Sequence, residues 1–339
     1  MAAVRRPTVR DIARHAGVSV ATVSRVTSDD PRVRAETRAR VQASIDAHGY
    51  TPSSLGLGLA RRRHQALGVV LPGLGGPYFA ELLRGVESVA AAHDTAVTVL
   101  GAHLRPDVAG AVERLARRTD ALVVQAGTVD DAVLAAVADE VAVVVLAGSP
   151  QHPTTVRTDG ESACRDVTAH LVDVHGHRRL RFVGLPPGAP EPAQRHRGFR
   201  RALSERGLVE SGPPLSVGLE AVDGAAAARD LRASGDVPDA LVCANDEIAF
   251  GLLATLPGLG YDVPHDVAIV GFDDNALAAL AAPRLTTVHQ PTAELGATAA
   301  RLALAAASGE EEPTTDHVLP TRTVVRESCG CSPAPGARR

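Results

Sequence analysis

The chain of 339 residues carries 35 basic and 39 acidic side chains, for a net charge of −4, and is long enough for about two domains with buried cores. All 35 basic side chains are arginine, which excludes lysine chemistry such as a Schiff base or a P-loop lysine. Residues 1–64 hold 12 arginines against 5 acidic residues, a charge of +7, whereas the remainder carries −11. A basic head on an acidic body is typical of proteins in which only the head meets a polyanion.

Composition also indicates a compartment. The sequence has no run of 18 apolar residues, and no apolar segment follows the first arginines, so neither a membrane span nor a secretory signal is predicted. The cysteines at 164, 243, 329 and 331 do not form a disulfide framework. We therefore expect a cytoplasmic protein that makes no contact with a membrane.

The first predicted elements are three short helices. Thr8 and Ser19 are suited to cap the first two, and Gly17 between them is suited to form a tight turn. The second helix is predicted over 20–26 and the third over 35–47. Two short helices joined at a glycine, followed by a third helix, predict a helix-turn-helix domain at 1–50.

A three-helix bundle without a DNA-binding role would show a similar pattern. The charge of +7 over residues 1–64 favours nucleic-acid binding instead. Hydroxyl side chains suited to phosphate contacts accompany the arginines, at Thr8, Ser19, Thr22, Ser24 and Thr37. We therefore expect double-stranded DNA to be the partner of this domain.

Four motifs make a more specific case. They lie at 8–13 (TVRDIA), 16–19 (AGVS), 21–25 (ATVSR) and 50–52 (YTP). Together they resemble the DNA-binding domain of the lactose-repressor/galactose-repressor family of bacterial transcription regulators. The resemblance implies that Val20, Ala21 and Arg25 read bases. An arginine can form paired hydrogen bonds with guanine, and an alanine methyl can contact the methyl group of thymine.

Residues 51–64 (TPSSLGLGLARRRH) follow as a predicted hinge. The resemblance implies a helix that forms on the operator, with Leu59 inserted into the minor groove as a base-reading wedge. Gly56 and Gly58 depart from the family pattern, and each costs about 1 kcal/mol of helix stability relative to alanine. We expect an unusually labile hinge helix; a plain flexible linker is the alternative.

The body of the chain alternates short apolar runs with amphipathic helical segments. The first such helix is predicted over 79–93. Strands are predicted at 66–72, 96–100, 121–125, 141–146, 180–184, 240–244 and 267–271. This alternation predicts an α/β fold with two parallel sheets, each flanked by helices, and a ligand cleft beyond the strand ends.

The resemblance extends through this body. Motifs in the family's order include 76–79 (GPYF), 156–160 (VRTDG), 195–199 (RHRGF), 263–274 (VPHDVAIVGFDD) and 285–291 (LTTVHQP). They are similar to a two-lobed, periplasmic-binding-protein-like effector domain whose chain crosses between the lobes three times. The implied bounds are 65–159 with 291–320 for the N-lobe, 160–290 with 321–330 for the C-lobe, and 331–339 for a disordered tail.

The same resemblance places the effector contacts at Tyr78, Phe79, Gln125, Arg195, Asn245, Asp273 and Gln290. The charged and amide groups of this set suit a small polyol, because together they both donate to and accept from hydroxyl groups. Two simpler interpretations stay open. The Asp273–Asp274 pair is also suited to helix capping, and Arg195 is also suited to a solvent-facing helix surface.

Two departures weaken the expectation of a sugar. Ala147 stands where the family commonly has an acidic ligand-binding residue, and Leu219 takes the place of a stacking aromatic residue. The effector is therefore an unusual sugar derivative or another small molecule, or else the pocket is degenerate.

Spacing along the sequence gives little support for a metal or a catalytic site. The pair His175-Gly-His177 has no cysteine or acidic partner at a supporting spacing, and Cys329-Gly-Cys331 lies next to the predicted tail. Ser24, Ser149 and Ser162 lack a nucleophile-elbow motif. No metal, cofactor or catalytic residue is predicted.

The resemblance implies a ligand-responsive, sequence-specific repressor of carbohydrate-related genes, which binds a palindromic operator as a homodimer under the control of a small-molecule effector. A solute-binding protein or an enzyme on the same two-lobed scaffold is the alternative. Neither alternative requires the basic head at 1–64, so the head favours the regulator.

Overall fold

The computed structural model describes residues 7–27, 30–50, 64–149, 151–310 and 315–332. Most of the predicted hinge, with Gly56, Gly58 and Leu59, and the end of the predicted tail from 333 onward lie outside the described residues. The chain forms two compact units: residues up to 66 together with 118–120, and the remainder. No helix in the described ranges is long and apolar enough to cross a lipid bilayer.

The first unit contains the predicted helix-turn-helix, which consists of α1 (Val9–His15) and α2 (Val20–Thr27), followed by α3 (Ala35–His48). Ile12, Val23 and Val41, one from each helix, are completely buried and form its core. Gly17 has a φ of +61° in the turn before α2, and Gly49 has a φ of +57° where α3 ends. Both adopt the left-handed conformation that glycine takes without steric cost.

The second unit alternates strands and helices, as the apolar runs predicted. In chain order its elements are β1 (Ala66–Leu71), α4 (Pro77–Ala92), β2 (Ala96–Gly101), α5 (Val108–Ala116), β3 (Ala121–Gln125), α6 (Asp131–Ala138), β4 (Ala142–Leu146), β5 (Thr155–Thr158), α7 (Gly160–Asp173), β6 (Leu180–Val183), α8 (Pro190–Ser204), α9 (Ala221–Ser234), β7 (Ala240–Cys243), α10 (Asp246–Thr255), β8 (Ala268–Val270), β9 (Thr287–His289), α11 (Thr292–Ala307), β10 (Asp316–Leu319) and β11 (Arg322–Val324).

One lobe is a six-stranded sheet in the order β10–β5–β4–β3–β1–β2, in which β10, β5, β4, β3 and β1 pair in parallel. Successive residues of a strand point to opposite faces, so Leu67 and Val69 pack with α4 and α11, whereas Val70 packs with α5 and α6. Since both faces are covered by helices, the central strands are apolar throughout, which is why they were predictable.

The other lobe contains the parallel sheet β6–β7–β8 and the antiparallel pair β9–β11. Its core includes the completely buried rings of Phe182 and Phe199, and Phe272, which is 1% exposed. The chain passes between the two lobes after β5, after β9 and after β10. These three crossings confirm the two-lobed α/β architecture that the sequence predicted.

Glycines bring helix backbones into direct contact at three helix pairs. A Cβ atom at Gly85 of α4 would overlap the carbonyl oxygen of Ala293 in α11, and one at Gly296 of α11 would overlap that of Leu82. The pair α9–α10 has the same arrangement through Gly224 and Gly251, and α7–α8 has it through Gly198. These helices therefore pack more closely than any larger residue would allow.

Candidate nucleic-acid interface and ligand cleft

The exposed face of α2 carries the three predicted base-reading side chains. Val20, Ala21 and Arg25 are exposed, with Val20 at 43%, while Val23 and Val26 on the opposite face are buried. Ala21 and Arg25 are four residues apart and lie on the same side of the helix. One helix surface therefore presents the three side chains together, with Val20 and Ala21 in its first turn.

Side-chain caps fix the starts of α1 and α2. The Ser19 Oγ accepts a hydrogen bond from the Thr22 N–H at 3.1 Å, and the two hydroxyl oxygens are 2.9 Å apart. The Thr8 N–H and hydroxyl both donate to the Asp11 carboxylate, at 2.9 and 2.7 Å. Thr8 and Ser19 are exposed, as a phosphate contact requires, but the Thr8 hydroxyl donates to a phosphate only after its bond to Asp11 opens.

The remaining predicted phosphate contacts, Ser24 and Thr37, are half-buried, as is Thr22. Some of the positive charge of this unit is neutralised by acidic residues of the same unit. Arg32 forms an ion pair with Asp30 at 2.8 Å, and hydrogen bonds from Arg32 lower the pKa of Asp30 to about 2. Leu59, the predicted wedge, lies outside the described residues, so its position is a sequence-based expectation alone.

In the second unit, three of the predicted effector residues lie at or just after the carboxyl ends of parallel strands. Gln125 ends β3, Asn245 follows β7, and Asp273 follows β8. In open α/β sheets, ligands bind beyond these strand ends. The structure places Gln125 and Arg195 in one hydrogen-bonded group, and Asp273 and Gln290 in another, and each group joins the lobes.

Arg195 is the centre of the first group. It is 6% exposed, and its Nη1 donates to the carbonyl oxygen of Ala244 at 2.5 Å. Its guanidinium lies 4.0 Å from the centre of the Phe272 ring, in a cation–π contact. The interpretation of Arg195 as a solvent-facing helix charge is therefore wrong, because the helix turns this side chain inward.

Glu191 connects Arg195 to the other lobe and was missed by the sequence analysis. Its carboxylate accepts from Gln125 Nε2 at 2.7 Å and from Arg195 Nη2 at 3.4 Å. Burial raises its pKa above the ordinary value for glutamate. Glu191 and Arg195 are four residues apart on α8, and this spacing is the signal that could have identified the pair.

Two buried polar atoms of this group have no hydrogen-bond partner among the described residues: Gln125 Oε1 and Arg195 Nε. Buried polar groups in folded proteins are rarely left unpaired, so such atoms call for a partner. One is an acceptor and the other a donor. A ligand hydroxyl group can satisfy either of them.

The second group also spans the lobes. The Thr158 hydroxyl donates to Gln290 Oε1 at 2.7 Å, and Gln290 Nε2 donates to Asp273 Oδ1 at 2.7 Å. Asp273 is 8% exposed, and burial raises its pKa well above the ordinary value, although nearby Arg195 opposes this shift. Gln290 thus connects the end of strand β5, at Thr158, to the loop that follows β8.

The alternative of helix capping by Asp273 and Asp274 is wrong. Asn275 caps the short 3₁₀ helix that follows, Ala276–Ala279, by accepting from the Leu277 N–H at 3.0 Å. Asp274 instead binds Arg326 at 2.6 Å and His289 at 3.0 Å. Asp273 and Asp274 both have positive φ, and their carboxylates bind Gln290, Arg326 and His289 instead of the N–H groups of the helix start.

The side chain of Asn245 mainly stabilises the local structure. Its Oδ1 accepts from the Ile248 N–H at 3.0 Å, which caps α10, and its Nδ2 donates to the Leu219 carbonyl oxygen at 2.9 Å. One Nδ2 hydrogen and one Oδ1 lone pair are left for a ligand. Next to it, Asp246 has no exposed surface, and burial raises its pKa to about 6.

Tyr78 and Phe79 stand in the first turn of α4, half-buried, with their rings edge to face at 5.3 Å. Burial, with the negative charges of Glu191 and Asp273, raises the pKa of Tyr78 well above its ordinary value. Ala147 has a φ of +52°, and its backbone N–H donates to the Val156 carbonyl oxygen. Since its side chain is a methyl group, it offers no polar side-chain contact to a ligand.

Residues that sequence spacing left apart come together elsewhere in the second lobe. His175 lies beside Cys331, with His175 Nε2 and the Cys331 Sγ 3.3 Å apart. The sequence predicted Cys331 in a disordered tail and indicated no metal-binding partner for the His175–His177 pair. The fold supplies a partner for His175 from 156 residues further along the chain.

Comparisons with known proteins agree with this architecture. The family model described as bacterial regulatory proteins, lacI family, matches residues 8–53, and that of the periplasmic binding protein-like domain matches 168–329. The transcriptional regulator GalR of Salmonella typhimurium is 33% identical over 95% of both chains. Catabolite control protein A of Priestia megaterium is 31% identical, over 95% of this chain and 98% of its own.

Solved structures give the same result. The Lac repressor dimer bound to operator and the anti-inducer ONPF superposes with a TM-score of 0.82 at 26% identity, covering 96% of this chain and 99% of that chain. The transcriptional regulator CelR in complex with cellobiose superposes with a TM-score of 0.70 at 29% identity, covering 95% and 100%.

Proposed function

The chain belongs to the lacI family of bacterial regulatory proteins, and from this premise we propose that it is a ligand-responsive repressor of carbohydrate-related genes. It binds a palindromic operator as a homodimer. Its relatives are transcriptional regulators, and we infer that its function is regulation of transcription without catalysis, carried out on cytoplasmic DNA.

The observation that carries this proposal is the exposed face of α2. Val20, Ala21 and Arg25 project from a helix whose start is fixed by the Ser19 cap and whose opposite face is anchored by Val23. A recognition helix needs such an arrangement, because base contacts require a well-anchored helix that presents exposed side chains to the major groove. The charge of +7 over residues 1–64 supports phosphate binding by the same unit.

The cleft supports control by a hydroxyl-bearing small molecule. Gln125 Oε1 and Arg195 Nε are an unpaired buried acceptor and donor, and Asp273 is a second acceptor close to the same strand ends. Tyr78, Phe79, Asn245 and Gln290 complete the proposed site. The complex of CelR with cellobiose and the operator complex of the Lac repressor support a sugar or sugar derivative as the effector and a dimer as the binding form.

The lobes are coupled through the same residues. Thr158 and Gln290 lie next to two of the crossings between the lobes, and Gln125 contacts Glu191 across the cleft. A ligand that pairs with Gln125 or Arg195 changes these bonds and with them the preferred lobe arrangement. Coupling of this kind is typically worth about 1–3 kcal/mol, or roughly 5–150-fold in operator affinity.

For the chain as a whole, we propose the bounds that the sequence predicted: a DNA-binding domain at 1–50, a hinge at 51–64, and passages from one lobe to the other after residues 159, 290 and 320. Leu59 is proposed as the minor-groove wedge on the strength of the sequence resemblance.

Selection of bound sequences from a random duplex library by the purified full-length chain tests the proposal. We expect enrichment of a palindrome, with half-sites that accommodate two recognition helices in successive major grooves. The matched variant Arg25→Ala should lose or relax one position in each half-site while keeping its fold. Failure of the wild-type chain to enrich any motif at low salt, with and without a panel of sugars, would refute the proposal.

A further inference from the structure

Four side chains with metal-binding atoms meet beside α7 in the second lobe. His170 lies in the last turn of α7 and His175 in the loop that follows it, while Cys329 and Cys331 follow β11. The imidazole nitrogens and thiol sulfurs of these four residues all lie within 4.8 Å of one another. The cluster is separate from the cleft residues and plays no part in the proposed regulation.

The spacing of these atoms agrees with that of a tetrahedral zinc centre. His170 Nε2 lies 3.7 Å from Cys329 Sγ and 3.5 Å from Cys331 Sγ, and His175 Nε2 lies 3.3 Å from Cys331 Sγ. With Zn–S bonds of about 2.3 Å and Zn–N bonds of about 2.0–2.1 Å, neighbouring sulfur and nitrogen ligands of a tetrahedron lie about 3.5 Å apart. A single ion can therefore reach these atoms with little movement of the side chains.

The backbone around the cysteines is held in place by other contacts. Gly330 between them has a φ of +103°, and a Cβ atom there would lie 3.2 Å from the His175 imidazole. The Ser328 hydroxyl donates to the Ile269 carbonyl oxygen of β8 at 2.6 Å and accepts from the Thr286 N–H at 2.9 Å. The ligands are thus preorganised by the fold.

Charge and chemistry also fit zinc. Two thiolates and two neutral imidazoles balance the charge of a divalent ion, which suits a site where Cys329 is 1% exposed and the other three are half-buried. The Thr286 hydroxyl donates to Cys329 Sγ at 3.1 Å, the kind of outer hydrogen bond that supports a thiolate ligand. Thiolate and imidazole ligands favour zinc over magnesium or calcium.

We propose that His170, His175, Cys329 and Cys331 bind one Zn²⁺ ion, which fastens the segment after β11 to α7. The protein fills all four positions, as in zinc sites that stabilise structure. Binding replaces the two thiol protons, which are released to solvent, and involves no change of oxidation state.

The test uses the full-length chain, kept reduced with a phosphine, stripped with a chelator and then titrated with Zn²⁺ against a chromophoric zinc indicator. The variants are Cys331→Ser and His175→Gln. The matched controls are Cys164→Ala, a buried cysteine of the same lobe, and His265→Gln, an exposed histidine paired with Asp262. Far-ultraviolet circular dichroism checks that each variant is folded.

We expect the wild-type chain and both controls to bind one zinc per chain, and the two ligand variants to bind more than about tenfold more weakly. Zinc should raise the unfolding temperature of the wild type but not of the ligand variants. Cobalt added to the wild type alone should give tetrahedral d–d bands and thiolate-to-cobalt charge transfer, a readout that does not depend on any variant.

Equal zinc affinity in the wild type and the ligand variants would show that the ion binds elsewhere and would overturn the proposal. It is also overturned if the reduced wild type takes up no zinc and shows no thiolate-to-cobalt band, which would leave the cluster as thiols hydrogen-bonded to histidines. Either outcome leaves the proposed DNA binding untouched, since the cluster and α2 belong to different compact units.

Discussion

Replacing Arg195 with methionine removes a buried charge while keeping an unbranched apolar side chain against Phe272. The variant loses a charge-assisted hydrogen bond to the Ala244 carbonyl oxygen, worth about 1.5–3 kcal/mol, and a cation–π contact worth about 1 kcal/mol. It also leaves Glu191, whose side chain is only 23% exposed, without its cation. Breaking a buried ion pair by removing one partner typically costs about 3–5 kcal/mol, and we expect a loss in that range.

The double variant Arg195→Met/Glu191→Gln separates the charge from the packing. Because the amide at 191 carries no unpaired charge, the double variant should be less destabilised than the sum of the single variants by about 1–3 kcal/mol. Arg197→Met is the matched control on the same helix. Its ion pair with Glu161 at 3.0 Å is exposed, so its loss should cost less than about 1 kcal/mol.

Urea unfolding followed by circular dichroism measures these differences, provided that the dependence on urea concentration is unchanged between variants. If the free energies of unfolding of Arg195→Met and the Arg197→Met control differ by less than about 1 kcal/mol, the buried ion pair does not stabilise the fold as assigned. The assignment is also refuted if the effects of Arg195→Met and Glu191→Gln simply add, because Arg195 and Glu191 would then be energetically independent.

Three further predictions concern DNA binding and pH. Arg25→Ala should weaken binding to the selected operator by about 1–3 kcal/mol, roughly 5–150-fold, and broaden sequence preference, as measured by fluorescence anisotropy on matched and mismatched duplexes. Raising salt from about 50 to about 200 mM should weaken operator binding by roughly a thousandfold or more if six or more phosphates are neutralised; a salt-independent affinity would argue against the basic head as the DNA contact. Burial raises the pKa of Asp246 from 3.8 to about 6, so the folded chain keeps a proton that the unfolded chain has released, and stability should fall as pH rises from about 4 to about 6. Asp246→Asn should reduce this fall by up to about 3 kcal/mol; an unchanged pH profile would contradict the assigned burial effect.

Local signals account for what the sequence predicted well. The caps at Thr8 and Ser19 and the turn at Gly17 depend on residues within three or four positions of one another, and all three occur as expected. The central strands were predictable because burial on both faces requires continuous apolar runs. By contrast, β10 and β11 are short and only partly buried, so no such run marks them.

The cleft was predicted in part. Resemblance located Arg195 and Gln290, but it gave neither their orientation nor their partners. Whether Arg195 faces solvent or Phe272 depends on how α8 packs, and the contact between Gln125 and Glu191 depends on how the two lobes close. His170 and Cys331 show the same limit, because the crossings between lobes, and not sequence spacing, bring them together.

The glycines between helices and the side chains near the cleft differ in the space that surrounds them. Where α4 meets α11 and α9 meets α10, backbone touches backbone, so even a methyl group at Gly85 or Gly224 displaces a whole helix. Ala147 and Leu219, by contrast, are half-buried near the cleft. We therefore expect substitutions at half-buried positions near the cleft to cost less stability than substitutions at the glycines between these helices.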